Sequence, residues 1–271
     1  LIVVRDLPAL RAGLAARPGA WALAATMGAL HAGHVSLVTE AHRRAPNVAA
    51  SIFVNPTQFA AHEDLSRYPR DEAGDLAKLE AAGCDLVWMP SVAAMYPPGD
   101  GTFIDVSGPS AGYEGAMRPG HFRGMATVVA KLLHQVSPAF AMFGEKDWQQ
   151  LQVVRRMVAD LHFPLEIVGV PTVREPDGLA MSSRNRFLSP DERALAPRLA
   201  ATLWRSAAGL AQGRADAVAA GETALRAAGF GVDYFAHVDG ASLGVPGAGP
   251  TRLIAAARLG SVRLLDNVPV G

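Results

Sequence analysis

Two histidines three residues apart, His31 and His34, close the stretch Met27-Gly28-Ala29-Leu30-His31-Ala32-Gly33-His34. An imidazole donates a hydrogen bond when neutral and carries positive charge when protonated, so such a pair suits phosphate oxygens. Gly28 permits a tight turn, and Gly33 lets a ligand approach the backbone where a Cβ would clash. The apolar run 21–26 precedes the histidines and an amphipathic run follows them, which places the pair where a strand hands over to a helix. A helix starting near Gly33 would point unpaired N–H groups and partial positive charge at the same place. The competing reading makes one histidine a helix cap and the other a core residue. The full His-x-Gly-His pattern between strand and helix favours phosphate.

The elements that must position these groups follow from hydrophobic patterning. Short apolar runs at 21–26, 48–54, 84–89, 139–143 and 166–173 read as strands. Amphipathic stretches at 34–45, 71–82, 121–136 and 148–160 read as helices. Continuous apolar strands alternating with helices predict an α/β fold, a Rossmann-like parallel sheet with helices on both faces. Ligands of such sheets bind beyond the carboxyl ends of the strands. Asn55 and Gln58 follow the second run, and Gly144, Glu145, Lys146 and Asp147 follow the fourth, with Gln149 and Gln150 just beyond. Met181, Ser182, Ser183 and Arg184 close the segment after the fifth, while the third is followed only by Pro90 and Ser91. An amide reads hydroxyls and carboxylates because it both donates and accepts, and a lysine neutralises phosphate as a point charge.

Residues 96–120 are dense in glycine and proline, which predicts a long irregular connection or a small hairpin. The pattern changes near residue 173, where Ala-rich helices at about 190–211 and 215–228 precede strand-like runs that turn at Leu259-Gly260. A catalytic domain over 1–173 and a smaller α+β lid domain over 174–271 are expected.

Composition narrows the class. The 271 residues are 50% hydrophobic, ample for a core, and 25 basic residues balance 25 acidic ones. No global basic field exists to hold nucleic acid. No apolar run approaches the length of a membrane span, and the first residues lack the pattern of a signal peptide. The single cysteine, Cys84, rules out an intrachain disulfide and reads as a small buried hydrophobe. A cytoplasmic location is expected.

The His-x-Gly-His turn, with "LAMSSRN" at 179–185, resembles the paired signatures of nucleotidylyltransferases and class I aminoacyl-tRNA synthetases. Longer stretches narrow the likeness: "MGALHAGHVSLV" (27–38), "SIFVNPTQF" (51–59), "EDLSRYPRD" (63–71), "RPGHFRGMATVVAKL" (118–132), "GEKDWQQL" (144–151), "GVPTVREPDGLAMSSRN" (169–185) and "RLIAAARLGSVRLLDN" (252–267). In this order, over nearly the whole chain, they resemble the pantothenate synthetase family. That resemblance implies ATP-dependent condensation of pantoate with β-alanine through a pantoyl-adenylate, releasing pyrophosphate and AMP.

The resemblance also implies roles. His34 stabilises charge on the transferring phosphates and His31 assists. Lys146, Ser182 and Arg184 complete the catalytic set, and residues 27–34, 144–147, Val173 and 181–184 bind ATP. Gln58, Gln150, Asn55 and Arg118 are implied to meet pantoate or β-alanine, although Arg118 could instead secure its loop beside His121. Mg²⁺ would accompany ATP, with Asp75 as its protein ligand; Gly74 stands where a second acidic residue can occur. Trp148 replaces the family's usual phenylalanine or tyrosine. A homodimer through the N-terminal domain is implied, for which the apolar run 48–54 could supply a surface. The alternatives are a nucleotidylyltransferase acting on another small substrate, which would leave the nucleotide on its product, and a nucleotide-sensing module without turnover.

Overall fold

Strands that are apolar along their whole length bury both faces only inside a parallel sheet covered by helices. A computed structural model, describing residues 1–59, 65 and 68–271, has that architecture. Residues 63, 64, 66 and 67 of the motif at 63–71 lie outside the described residues. The chain contacts form two units, Leu1–Glu145 with Val153–Pro171, and Lys146–Gln152 with Thr172–Gly271.

The first unit runs β1 (Ile2–Val4), α1 (Leu7–Ala15), β2 (Trp21–Thr26), α2 (Ala32–His42), β3 (Asn47–Ile52), α3 (Glu72–Ala81), β4 (Leu86–Trp88), α4 (Val92–Met95), α5 (Tyr113–Met117), α6 (His121–Val136) and β5 (Phe140–Gly144). After α7 (Trp148–Asp160), whose first residues group with the second unit, β6 (Glu166–Val170) completes the sheet. The strand order is β1-β4-β3-β2-β5-β6, all parallel. The order reverses between β2 and β5, the place where open sheets leave a crevice.

Alternation along the strands explains the two layers. Ala22, Ala24, Val48, Ala50, Val87 and Met142 pack in one cluster with Leu37 and Val38 of α2 and Leu79 of α3. On the alternate register Trp88 donates through its indole N–H to Gln135 Oε1 of α6 at 2.9 Å. A Cβ on Gly13 of α1 would crowd Leu86. Cys84 is buried as expected, and burial pushes its thiol up to about 11.

Several expectations need correcting. β1 lies outside the runs read as strands; it is a three-residue edge strand paired with Leu86–Trp88. Within the run at 48–54, Val48–Ile52 lie in an interior strand paired on both edges, so their apolar character is accounted for by the core. The strand expected over 166–173 ends at Val170 because Pro171 has no N–H for the ladder. The stretch 96–120 contains α5 but no strand among its described residues.

In the second unit, α8 (Pro190–Leu195), α9 (Arg198–Ala211) and α10 (Ala217–Ala227) precede a three-stranded antiparallel sheet of β7 (Gly231–Asp239), β8 (Thr251–Leu259) and β9 (Val262–Val270). Leu199, Leu203 and Leu225 pack on Phe235, Leu253 and Leu264 to form its core. Residues 146–152 join this unit for visible reasons. The Trp148 indole N–H donates to the Gly240 carbonyl at 2.8 Å, and the Arg252 guanidinium stacks 3.4 Å from the ring centre. Asn267 Nδ2 donates to the Lys146 carbonyl at 2.9 Å.

Gly124 of α6 lets the helix approach the turn after β3 so closely that a Cβ there would collide with the backbone of Thr57 and Gln58. Overpacking against backbone costs about 1–3 kcal/mol. Gly124→Ala is therefore expected to lower the Tm by several degrees in differential scanning calorimetry. Gly101→Ala, whose Cβ would meet nothing nearer than 3.9 Å, should change the stability by no more than about 0.5 kcal/mol.

Candidate functional site

The turn from β2 into α2 is built on an unusual backbone. Gly28 (φ +83°) and Ala29 (φ +52°) are both left-handed, and for alanine that conformation is uncommon. The carboxylate of Asp75, reaching across from α3, holds them: Oδ2 accepts from Ala29 N–H and Oδ1 from Leu30 N–H, each at 2.7 Å. His31 is the N-cap of α2, and the histidines cap it reciprocally. His31 Nδ1 accepts from Gly33 N–H at 3.1 Å, and His34 Nδ1 accepts from His31 N–H at 3.2 Å. Their ring centres are 4.1 Å apart.

This arrangement merges the two readings of the pair. Both histidines serve the cap, and neither is a core residue. Because each Nδ1 accepts, the proton of each neutral ring sits on Nε2. The pair is then a set of oriented N–H donors. Most backbone amides of this turn are engaged within the protein, so phosphate would meet few of them directly. The amides of Gly28, Ala29, Leu30, His31, Gly33, His34 and Val35 all have partners within the protein.

After β3 the chain makes a short 3₁₀ turn, Pro56–Gln58. Asn55, 1% exposed, has its amide fully engaged. Its oxygen accepts from Thr57 N–H, Thr57 Oγ and Tyr96 Oη, and its Nδ2 donates to Gln58 Oε1 at 3.1 Å and Gly124 O at 3.2 Å. These bonds hold the side chain that the resemblance assigns to a substrate against Gln58. With Oε1 of Gln58 turned to Asn55, its NH₂ end faces Met27 Sδ at 3.0 Å. A thioether is a weak acceptor that a carboxylate or hydroxyl oxygen displaces readily.

Arg118 likewise bonds a neighbouring side chain. A guanidinium can only donate, so its N–H to His121 Nε2 at 3.0 Å makes that nitrogen the acceptor. His121 Nδ1–H then donates to the Gln58 carbonyl at 2.9 Å. Tyr96 was missed by sequence reasoning, being eight residues past β4 with no motif around it. Burial raises its pKa, which keeps the phenol proton it donates to Asn55.

The resemblance assigned a Mg²⁺ to Asp75, and the residues present do not fit one there. The carboxylate is 1% exposed, both oxygens accept backbone N–H groups, and Lys78 Nζ lies 3.8 Å from Oδ1. A Cβ on Gly74 would crowd the Asp71 carboxylate that caps α3, so an acidic residue there would have to displace that cap. Among the described residues no group of three His, Cys, Asp or Glu side chains could hold a metal ion.

In the second unit, a cleft is lined by Lys146, Ser182, Arg184, Asn185, Arg263 and Asp266. Arg263 is paired with Asp233 at 2.6 Å, and Asp266 with Arg174 through two bonds of 2.6 and 2.9 Å. Lys146 and Arg184 have no acidic partner among the described residues, which leaves two uncompensated cations on the cleft. The segment carrying Met181–Arg184 is fixed from several sides. Met181 N–H donates to Val173 O at 2.9 Å, Asn185 Nδ2 to Glu175 at 3.0 Å, and Ser182 Oγ caps the following 3₁₀ turn. Asp266, Arg174 and Arg263 carried no assigned role in the sequence, although 252–267 was among the quoted motifs. Gln150 is half-buried on α7.

A family model for pantoate-beta-alanine ligase matches residues 3–269. The chain belongs to the pantoate–β-alanine ligase family. A pantothenate synthetase of Acidiphilium cryptum is 57% identical over 99% of both chains, and one from Granulibacter bethesdensis is 58% identical over 90% of this chain and 87% of its own. Among solved structures, the pantothenate synthetase of Thermus thermophilus superposes with a TM-score of 0.94 at 50% identity, covering 100% of this chain and 99% of its own. The Francisella tularensis pantoate-beta-alanine ligase, crystallised with beta-gamma ATP and beta-alanine, gives 0.84 at 30% identity over 99% and 97%. As a ligase of this family the chain is an enzyme, with a six-stranded parallel sheet and a smaller three-stranded antiparallel one. No helix of the described residues is long and apolar enough to cross a membrane.

The hydrogen-bond pattern of this ligase predicts opposite tautomers for the capping pair and for His121. In long-range ¹H–¹⁵N spectra at a pH where the imidazoles are neutral, His31 and His34 should carry their protons on Nε2 and His121 on Nδ1. An Nδ1–H form of His31 or His34 would contradict the reciprocal cap.

Proposed function

We propose that this chain condenses pantoate with β-alanine, using ATP, by way of a pantoyl-adenylate. The observation that carries the reading is the contact between Met27 Sδ and Gln58 Nε2. It sets the donor end of a buried amide against the turn that bears the imidazoles, which supports reading the two as neighbouring parts of one acid- and nucleotide-binding site. The Francisella relative's complex with beta-gamma ATP and beta-alanine supports the choice of two of the three substrates.

In the first step a carboxylate oxygen of pantoate attacks the α-phosphorus of ATP. A P–O bond forms, and the bond to the β,γ-pyrophosphate breaks with its electron pair leaving on pyrophosphate. The Nε2–H groups of His34 and His31 stabilise the charge that develops on the phosphate oxygens. Lys146 and Arg184 neutralise phosphate charge, and Ser182 and Ser183 donate from the same segment. Residues 27–34, 144–147, Val173 and Met181 complete nucleotide binding by family resemblance. Gln58 holds the acid through its NH₂ group, and Gln150 is assigned to the same acid; Asn55 and Arg118 keep Gln58 in place. In the second step the neutral amine of β-alanine attacks the acyl carbon. The C–N bond forms, the C–O bond to AMP breaks, and the amine releases a proton. No protein nucleophile is needed, because adenylation supplies the leaving group; the protein's task is alignment and exclusion of water. Mg²⁺ is proposed only as a companion of the ATP phosphates, a common arrangement for that ion. A homodimer in the cytoplasm remains part of the proposal.

Isotope exchange between pyrophosphate and ATP tests the first step alone. Exchange is expected with pantoate in the absence of β-alanine, and His34→Ala should reduce it about 10²-fold or more. Product analysis should find AMP and pantothenate once β-alanine is added. A nucleotide retained on the product would favour a nucleotidylyltransferase.

A further inference from the structure

We propose that Asp75 is a positioning residue for the His31–His34 pair and not a ligand for a divalent cation. The proposal rests on the reading of residues 27–34 as the nucleotide turn. Consecutive N–H groups in a left-handed turn make a concave anion site, and here the protein's own carboxylate fills it. Asp75 accepts from Ala29 and Leu30 with equal 2.7 Å bonds and is 1% exposed. Charge-assisted bonds of this length are among the stronger ones. They hold Ala29 at φ +52°, a backbone that an L-residue adopts only when its surroundings fix it. The next residue but one along the chain is His31, whose backbone N–H and ring both belong to the α2 cap. The carboxylate therefore sets the direction from which the first imidazole enters the cap.

The fit is tight in other respects. A Cβ on Gly28 would lie 3.0 Å from Asp75 Oδ2, so the glycine admits the carboxylate as well as the turn. Lys78 Nζ, 3.8 Å from Oδ1, supplies the compensating charge that a metal ion would otherwise bring. With Asp75 1% exposed, a hydrated cation would have to shed its water to reach the lone pair that each oxygen has left.

Asp75→Asn separates the two roles, because the amide keeps the shape but turns an NH₂ group toward a backbone N–H. The expected result is loss of amide-exchange protection at Ala29 or Leu30 by about 10-fold or more. It should be accompanied by a fall in kcat of about 10²-fold, the scale set by misplacing a catalytic group by an ångström. The Mg²⁺ concentration for half-maximal rate should stay at its wild-type value. Restoration of the rate by excess Mg²⁺ or Mn²⁺ would overturn the proposal.

A second measurement uses the wild-type protein without nucleotide. Mn²⁺ added to ¹⁵N-labelled protein should broaden the Ala29 and Leu30 amide signals no more than buried amides of β8. Their selective loss at substoichiometric Mn²⁺ would assign Asp75 to a metal. This result stands even if Asp75→Asn does not fold. Failure of the wild type to make pantothenate would remove the catalytic reading, while the two amide measurements would still report on the clamp.

Discussion

The turn between β2 and α2 presents more backbone donors than secondary structure can satisfy, and the site depends on what satisfies them. Buried amides without partners are costly, so a fold must supply acceptors. Here two come from one carboxylate of α3 and two from the imidazoles themselves. The second pair has a chemical consequence. Nitrogens used as acceptors toward the backbone commit the opposite nitrogens as donors, so the cap of α2 also leaves two oriented N–H groups of the kind the proposed phosphate contact needs. One set of bonds thus fixes helix start, ring orientation and tautomer together.

The same economy of orientation recurs at Gln58. Tyr96 and Thr57 fix the polarity of Asn55, Asn55 fixes the polarity of Gln58, and Arg118 with His121 secures the Gln58 carbonyl. An amide left to rotate would present its oxygen as often as its NH₂ group, and a carboxylate substrate needs the latter. In the second unit the logic is one of charge. The Arg174–Asp266 and Arg263–Asp233 pairs neutralise each other in fixed geometry, so the cleft's remaining positive charge comes from Lys146 and Arg184. The paired arginines are framework there, and the proposed role of meeting the ATP phosphates falls to the two cations without an acidic partner among the described residues.

Much of this was legible in the sequence, for identifiable reasons. Runs such as 21–26 and 139–143 are apolar throughout and flanked by turn residues, so central strands and their order of polar ends could be read directly. The edge strand Ile2–Val4 is three residues long and was missed. The run at 48–54 was credited with a surface because local hydrophobicity does not say which faces a sheet covers. Side-chain roles were less legible where partners lie far along the chain. Asp75 meets amides 45 and 46 residues away, His121 meets Gln58 across 63, and Arg174 meets Asp266 across 92. The resemblance assigned Asp75 to Mg²⁺ and Asn55 to a substrate; only the pairing shows the groups that each side chain bonds within the protein. Tyr96 had no local signal, since its contact depends on how the connection after β4 returns to the turn after β3.

The central chemical claim is that a carboxylate oxygen of the acid becomes bonded to the α-phosphorus. Pantoate labelled with ¹⁸O in its carboxylate tests it in a single turnover with ATP and β-alanine. Mass spectrometry should find one ¹⁸O in the released AMP and none in pyrophosphate. AMP without label, with ¹⁸O appearing instead in orthophosphate or pyrophosphate, would contradict attack at the α-phosphorus and with it the function assigned to this site.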